Sequence, residues 1–480
     1  MTNASWASTS RSSGSGPRDR VLITDGRRLT GNQYDCVVVG SGPAGLTVAL
    51  GLAAADRRVL VLDTDAGGKD CAPSIGYGHY PGGYWNGHAI RALGGTSAVW
   101  SGWCTTLRDE DFDNPAVGVS WPIGRNDLLP HYRESAGVLD RHPSIVDYEK
   151  SLSPTWVYRP FSVKTPTRLR EKYGDVLRRS STVDVALGCT AVGIDANASR
   201  SAVTRLRYFR HDSGDERSLT IRPEQALVIA GGGIGNAQLL LQPRSDGAVP
   251  VGNEGGHVGK FLMEHPHFSS VAHCIIDENI HRHRPPDTFG RFVPALVMAA
   301  SRARELRRYG CSLEFSVNDE YPEMRTHLET ETGAAQYVYR LDLRAEMRPA
   351  PHNRVVLSAE RDRTGLHQPV AHCVLDAEDF LNAELTLREL GSTLIRENRG
   401  RLRIDNDLIY RHVLGGGHIM GTTRMGTDRS NSVVDRNCRV HGYQNFFIAG
   451  SSVFPTGGYA NPTLTIVALA SRLAREIRGD

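Results

Sequence analysis

YDCVVVGSGPAGLTVALGLAAADRRVLVLD, residues 34–63, contains the pattern that decides the fold class. CVVV and VLVL are continuous apolar runs, which are typical of parallel strands buried on both faces. Between them, Gly40, Gly42 and Gly45 form a GxGxxG turn that opens a helix, and Asp63 ends the second strand. In this motif the glycines allow a tight turn, close approach of a pyrophosphate and helix packing, while the acid binds a ribose diol. The stretch therefore predicts a dinucleotide-binding βαβ unit.

Two later stretches indicate that distant parts of the chain build one nucleotide site. ALVIAGGGIGNAQLLL (226–241) is a buried strand that runs into three glycines and a helix, and NFFIAGSSVFPTGG (445–458) is another strand that ends in glycine. A site assembled from the start, middle and end of a chain is typical of split FAD-binding folds, whereas NAD dehydrogenases usually keep this half contiguous. The pattern favours FAD over NAD.

GGYANPTLTIVAL (457–469) predicts a helix that begins beside a ligand. Asn461 is a favoured N-cap residue and Pro462 suits the first helical position, where no N–H is needed. The residues that follow have helical apolar spacing. Because a helix N-terminus carries free N–H groups and partial positive charge, we expect this one to face a ligand with negative charge.

Composition excludes several classes of protein. The 480 residues suggest two or three domains, and 56 basic against 53 acidic residues give a net charge of +3, which does not indicate a nucleic-acid partner. No apolar run approaches the roughly 20 residues that span a bilayer. Residues 1–33 are predicted to be a disordered leader, since their Ser/Gly/Arg-rich start has no apolar segment. Eight cysteines without a CxxC pair indicate reduced thiols, so we expect a cytoplasmic protein. The paired histidines, His265/His267 among them, lack metal-ligand spacing, and we predict no metal site.

Four segments resemble the glucose–methanol–choline (GMC) oxidoreductase family, and the similarity runs from about Tyr34 to the C-terminus. They are GSGPAG (40–45), RALGGTSAVWSG (91–102), AGGGIGNAQLLL (230–241) and HIMGTTRMG…FIAGSSVFPTGGYANPTLT (418–465). Within the family the chain is most similar to the pyranose oxidase and sugar dehydrogenase branch. The resemblance implies an α/β (α+β) two-domain fold. We expect a split Rossmann-like FAD-binding domain of residues 34–110, 183–265 and 409–480, and a substrate-binding domain of residues 111–182 and 266–408 with an antiparallel sheet and helices.

The resemblance implies FAD as the cofactor. Relatives that bind FAD covalently carry a histidine in the segment that matches GGTSAVW, where this chain has Val99, so we expect a dissociable flavin. The residues expected to bind FAD are Gly40, Gly42, Pro43, Ala44, Gly45, Asp63, Thr64, Arg91, Gly94, Gly95, Thr96, Ser97, Ala191, Val192, Ala230, Gly231, Gly232, Gly450, Ser451, Asn461, Pro462 and Thr463.

The resemblance also implies a catalytic pair, His418 and Asn461. Flavin N5 would accept a hydride from the alcohol carbon while neutral His418 takes the hydroxyl proton as general base. Asn461 would donate an N–H to the substrate oxygen. From the residues alone, His418 fits a core histidine and Asn461 a plain helix cap. The expected function is FAD-dependent oxidation of an alcohol (CH–OH) group on a sugar, glycoside or related polyol, with O₂ or another electron acceptor.

Two alternative functions remain open at this point. A GMC-type lyase, similar to hydroxynitrile lyases, would use the same base without reducing FAD, and a non-sugar natural-product alcohol would fit the same oxidation. The long glycine-rich loop 64–92 is a candidate lid, since long loops without regular structure are often functional lids, and its role stays open. Its aromatic side chains would either stack on a sugar or pack against the FAD-binding domain; they are Tyr77, Tyr80, Tyr84 and Trp85.

Overall fold

The computed structural model describes residue 29 and residues 31–65, 75–80, 82–146, 148–286, 289–318 and 322–479. Most of the predicted leader lies outside the described residues. The same holds for residues 66–74 and 81 of the candidate lid loop.

Five parallel strands form the sheet that the opening motif predicts. Their side chains are almost entirely buried, because both faces of the sheet are covered. In this sheet, segments from the beginning, middle and end of the chain lie side by side. In spatial order the strands are Val183–Ala186, Val59–Leu62, Cys36–Val39, Ala226–Ile229 and Phe446–Ile448.

Three helices pack together beside this sheet. Helix Thr463–Arg478 lies between Pro43–Ala53 and Arg125–Val138. A Cβ added to Gly51 would come within 2.8 Å of the Ala474 Cβ, so a glycine allows the first two helices to approach closely. The C-terminal helix ends at a left-handed glycine with φ of 83°, a common C-cap.

An eight-stranded antiparallel sheet forms a second layer. Helix Ala377–Arg396 packs on it through apolar side chains that recur at helical spacing. The strands are Gly400–Ile404, Pro266–Ile276, Tyr337–Ala345, Cys311–Val317, Ala295–Met298, Trp156–Tyr158 and Lys150–Ser151, with Val413–Gly415 paired to the beginning of Pro266–Ile276.

Smaller elements complete the described part of the chain. The short strands are Cys189–Ala196, Val203–Arg210 and Asp215–Thr220 in one sheet; Arg291–Val293, Phe161–Val163 and Trp103–Cys104 in a second; Arg354–Arg361, His367–Cys373 and Ile75–Gly78 in a third; and Asp113–Asn114 with Val119–Ser120. The remaining α-helices are Asp109–Phe112, Leu169–Arg179, Gly232–Leu241, Ala300–Glu305, Pro322–Thr332 and Asn406–Arg411.

The predicted α/β fold class is confirmed: a parallel sheet drawn from distant segments lies beside a separate antiparallel sheet. The residue ranges expected for the two domains remain a prediction. Within the described ranges, every helix is too short or too polar to cross a bilayer.

Candidate active site and nucleotide cleft

A cleft of about 440 Å³ opens at the carboxyl ends of the parallel strands. This is where open α/β sheets usually bind ligands, and the volume is within the range of small-molecule sites. Most residues predicted to bind cofactor or substrate line it. They are Gly40, Gly42, Pro43, Ala44, Asp63, Thr64, Arg91, Gly95, Thr96, Ala191, Ala230, Gly231, Gly232, His418, Gly450, Ser451, Asn461, Pro462 and Thr463.

Four residues predicted to bind FAD do not line the cleft, and their role in binding FAD remains a prediction. A Cβ on Gly45 would come within 1.9 Å of the Gly40 carbonyl oxygen, so this glycine lets helix and strand pack. Gly94 has a φ of 88° and forms the turn before Gly95. The Ser97 hydroxyl is buried and donates to the Gly94 carbonyl at 2.6 Å. Val192 is buried beside Ala191 in its strand, at a register shift between Ala191 and Gly193.

Glycines give this cleft the shape that a pyrophosphate needs. A Cβ on Gly232 or Gly235 would meet no described atom within 4 Å, and one on Gly42 would approach only the Gly95 Cα, at 3.8 Å. Gly42 also precedes helix Pro43–Ala53 and supplies no side-chain cap for its first turn. Open space at an uncapped helix N-terminus is suited to a phosphate group. The cleft therefore fits the diphosphate of FAD.

Asp63 lies at the end of its strand, as predicted, and also fixes the glycine turn. Its Oδ2 accepts hydrogen bonds from the Ser41 backbone N–H at 2.7 Å and the Ser41 hydroxyl at 2.6 Å, while Oδ1 accepts from the Asp65 N–H at 2.9 Å. Burial raises the pKa of Asp63. Because each carboxylate oxygen can accept more than one hydrogen bond, the group still has capacity for a ribose hydroxyl.

His418 and Asn461 meet at the wall of the cleft. The Asn461 Nδ2 donates to the His418 Nε2 at 3.1 Å, and the buried Asn461 Oδ1 has no hydrogen-bond partner among the described residues. The prediction that Asn461 caps the final helix is wrong: the helix begins at Thr463, Pro462 precedes it, and no side chain caps it. The carboxamide contacts the imidazole instead. Such an orphaned polar atom beside an imidazole is suited to a polar ligand.

A buried carboxylate holds the loop that carries His418. Both oxygens of Glu264 accept from the His418 backbone N–H at 2.8 Å, and Oε1 also accepts from the N–H groups of Gly416 at 2.9 Å and His265 at 3.0 Å. The Gly417 N–H donates to the Tyr84 hydroxyl at 2.8 Å. Burial raises the pKa of Glu264 to about 7, although the backbone N–H groups of His418, His265 and Gly416 favour its charged form.

Two histidines whose spacing does not indicate a metal site, His265 and His267, lie next to His418. The His265 Nδ1 is 2.8 Å from the His418 Nδ1, and the His267 and His418 ring centroids are 5.8 Å apart. Gly416 lies between the rings: a Cβ there would come within 2.5 Å of His418 Nδ1 and 2.9 Å of His267 Nε2. The described residues contain no group of three or more His, Cys, Asp or Glu that could hold a metal ion.

The surroundings of His418 keep its imidazole neutral. Burial lowers its pKa well below the ordinary value, and the neighbouring His265, His267 and Arg344 lower it further. The Arg344 Nη1 is 3.3 Å from the His267 Nε2, and its guanidinium also pairs with the buried Glu314. A neutral imidazole beside an amide donor can accept a proton from a hydroxyl group that replaces their direct hydrogen bond.

The four aromatic residues of the candidate lid pack against protein, and none lines the cleft. Trp85 is fully buried, and the Tyr80 and Tyr84 rings stack with centroids 5.0 Å apart. Tyr77 is exposed and stacks on His372 at 5.1 Å. Of the two roles left open for these side chains, the described structure favours packing.

Comparison with known proteins finds a family model that matches part of this chain. Residues 349–470 match the family model described as GMC oxidoreductase. Paromamine 6'-oxidase from Streptomyces fradiae is 25% identical in an alignment that covers 93% of this chain and 92% of that protein. The fructose dehydrogenase large subunit from Gluconobacter japonicus is 24% identical over 59% of this chain, and the match spans about half, 52%, of that subunit. The crystal structure of pyridoxine 4-oxidase from Mesorbium loti is similar in fold, with a TM-score of 0.59, 15% identity and coverage of 93% of this chain and 99% of that one.

Proposed function

This chain is a GMC oxidoreductase, and on that premise we propose that it oxidises a CH–OH group of a sugar, glycoside or related polyol with FAD. The predictions of the family and of FAD as its cofactor are confirmed. The observation that supports the proposed reaction is the meeting of the His418 Nε2 and the Asn461 Nδ2, 3.1 Å apart, in a glycine-lined cleft.

The residues that would hold FAD divide by the part of the cofactor that they suit. Gly42, Gly232 and the first turn of helix Pro43–Ala53 would bind the diphosphate, and Asp63 would bind a ribose. The N-terminus of helix Thr463–Arg478 would place partial positive charge at the other end of the cleft. When bound, FAD supplies the acceptor for the hydride that leaves the alcohol carbon.

The chain's own residues would activate the alcohol. The Asn461 Nδ2–H donates to the hydroxyl oxygen, and this holds the hydroxyl hydrogen toward the His418 Nε2. Neutral His418 then takes the proton as the C–H bond breaks, a contribution of roughly 10²–10⁴-fold for a positioned base. Burial, which lowers the pKa of His418, and the nearby Arg344 cation keep it in this accepting form.

Two observations support a sugar-type substrate. Fructose dehydrogenase and paromamine 6'-oxidase, which are similar to this chain, are named for sugar compounds. The lining of the cleft also includes His88, Ser101 and Trp103, which combine hydrogen-bonding groups with an aromatic ring. Such a combination suits a ring that carries several hydroxyl groups.

Anaerobic mixing tests this function. The purified yellow protein is mixed without O₂ with monosaccharides, glycosides, aryl alcohols and cyanohydrins in turn. We expect at least one sugar or glycoside to bleach the absorbance of oxidised flavin and to yield the corresponding carbonyl compound. Bleaching by aryl alcohols alone would contradict the sugar proposal. Turnover of a cyanohydrin without bleaching would indicate the lyase.

Acid precipitation should release the flavin. Val99 stands where covalently flavinylated relatives carry histidine, and it supplies no nucleophile. Denaturation in trichloroacetic acid should therefore leave all the FAD in the supernatant and a colourless pellet. A yellow pellet after repeated washing would show a covalent bond and contradict this prediction.

Protonation of His418 should not lower the rate of flavin reduction from about pH 8 down to about pH 6.5, the ordinary pKa of histidine. His418 must be neutral to accept a proton, and its lowered pKa places the fall in rate at lower pH. In Arg344→Gln, loss of a nearby cation should raise the pKa of His418 and move that fall to higher pH. Arg340→Gln, an exposed change on the same strand, is the control. An equal shift in both variants would contradict the prediction.

A further inference from the structure

Three polar side chains form a continuous chain of contacts that leads away from the cleft. The Asn461 Nδ2 lies 3.1 Å from the His418 Nε2, and the His418 Nδ1 lies 2.8 Å from the His265 Nδ1. The His265 ring is completely buried, and its Nε2 lies against Gly457, where an added Cβ would come within 2.9 Å. His265 therefore contacts the proposed base from the side opposite the substrate.

The contacts determine where the ring protons lie. The Asn461 Nδ2 can only donate, so the His418 Nε2 accepts and carries no hydrogen in the neutral ring. The single proton of neutral His418 is then on Nδ1, and the His265 Nδ1 must accept it. His265 consequently carries its own proton on Nε2. Burial lowers the pKa of His265 to about 4, so this ring is neutral near pH 7.

One carboxylate, that of Glu264, is hydrogen-bonded to the backbones of both histidines. The Glu264 Oε1 accepts from the backbone N–H groups of both His265, at 3.0 Å, and His418, at 2.8 Å. Antiparallel pairing of Pro266 with Gly415 brings these two backbone segments together. Because both backbones are fixed to the same oxygen, the distance between the rings is set by the fold and does not depend on a ligand.

We propose that His265 is a positioning residue that accepts the Nδ1–H of His418 and thereby keeps the Nε2 lone pair of His418 available for the proton of the substrate. The inference rests on the proposed function. When the alcohol O–H bond breaks, the proton passes to the His418 Nε2 and the hydride passes to FAD. The His418 Nδ1–H remains hydrogen-bonded to His265, so the imidazolium that forms has a partner at this nitrogen.

Loss of the acceptor would permit the opposite tautomer. With no partner at Nδ1, the proton of neutral His418 can move to Nε2, where the Asn461 carboxamide can rotate to accept it. In that state His418 has no lone pair toward the substrate. Partners that orient metal-bound histidines typically contribute about 10- to 100-fold to activity, and we expect a loss of similar size here.

Two substitutions of similar size separate this role from packing. In His265→Asn, the amide oxygen is attached to Cγ as Nδ1 is, and it can accept the His418 Nδ1–H. In His265→Leu, a methyl group takes that place. We expect His265→Leu to bind FAD and substrate normally but to reduce its flavin about 10- to 100-fold more slowly, and His265→Asn to recover most of the rate. Equal rates in the two variants, or a normal rate in His265→Leu, would overturn the proposal.

A measurement on the unmodified holoenzyme keeps the proposal testable if either variant fails to fold. Nitrogen NMR of protein with labelled histidine distinguishes a protonated Nδ1 from a protonated Nε2. We expect His418 to carry its proton on Nδ1, and protonation at Nε2 would contradict the proposal. His418→Ala separates this test from the proposed function. Normal flavin reduction in His418→Ala would show that His418 is not the base. Slow reduction in His418→Ala together with a normal rate in His265→Leu would overturn only the role of His265.

Discussion

His418→Ala should keep its FAD but reduce it roughly 10²–10⁴-fold more slowly than the unchanged protein. The imidazole supplies the positioned proton acceptor for the alcohol, and alanine removes it. We expect the loop to keep its structure in this variant, because Glu264 holds it through the backbone N–H of residue 418 and not through the side chain. The measurement is the anaerobic rate of flavin bleaching by a substrate that reduces the unchanged protein.

His352→Ala is the matched control for this variant. His352 is exposed and pairs with Asp376 at 3.4 Å, away from the cleft residues. We expect its reduction rate to equal that of the unchanged protein. A rate in His418→Ala within a few-fold of the control would exclude His418 as the base.

Gly42→Val should fold but lose nearly all its FAD. Gly42 has φ of −68° and ψ of −174°, which valine adopts without strain, and the nearest described atom to an added Cβ is 3.8 Å away. The isopropyl group would therefore fit in the cleft and fill the space that the diphosphate needs. The measurement is the ratio of flavin to protein absorbance after purification, together with the circular dichroism spectrum and the melting temperature.

Gly137→Val provides the comparison. Gly137 is exposed in helix Arg125–Val138, and a Cβ there would meet no described atom within 4 Å. We expect this variant to keep its stability or gain a little, because valine is a better helix former than glycine, and to keep a full complement of FAD. A yellow Gly42→Val protein with the same flavin content would show that the diphosphate does not lie beside residue 42.

The sequence predicts those parts of the fold that depend on neighbouring residues. The apolar runs CVVV and VLVL and the glycines between them specify strand, turn and helix locally, and the structure has strands at Cys36–Val39 and Val59–Leu62. The same local rules fail at Asn461. Its position before a helix predicts a cap, but a contact with His418, 43 residues earlier in the chain, uses the carboxamide instead.

The positions of Glu264 and His265 beside His418 could not be predicted from the sequence, because they depend on strand pairing. Glu264 and His265 precede strand Pro266–Ile276, and His418 follows strand Val413–Gly415. Only the antiparallel register of these strands, with Pro266 opposite Gly415, places the carboxylate and the second imidazole beside the base. The sequence shows two histidines spaced by one residue, which is common at strand ends and does not reveal which loop lies opposite.

A crystal structure of the purified yellow protein tests the central claim most directly, because the claim is that FAD and the catalytic pair share one cleft. The account predicts an isoalloxazine ring in contact with the His418 imidazole and the Asn461 carboxamide, with the diphosphate beside Gly42. A flavin bound elsewhere, or a ring too far from both side chains for one hydroxyl group to bridge them, would contradict it.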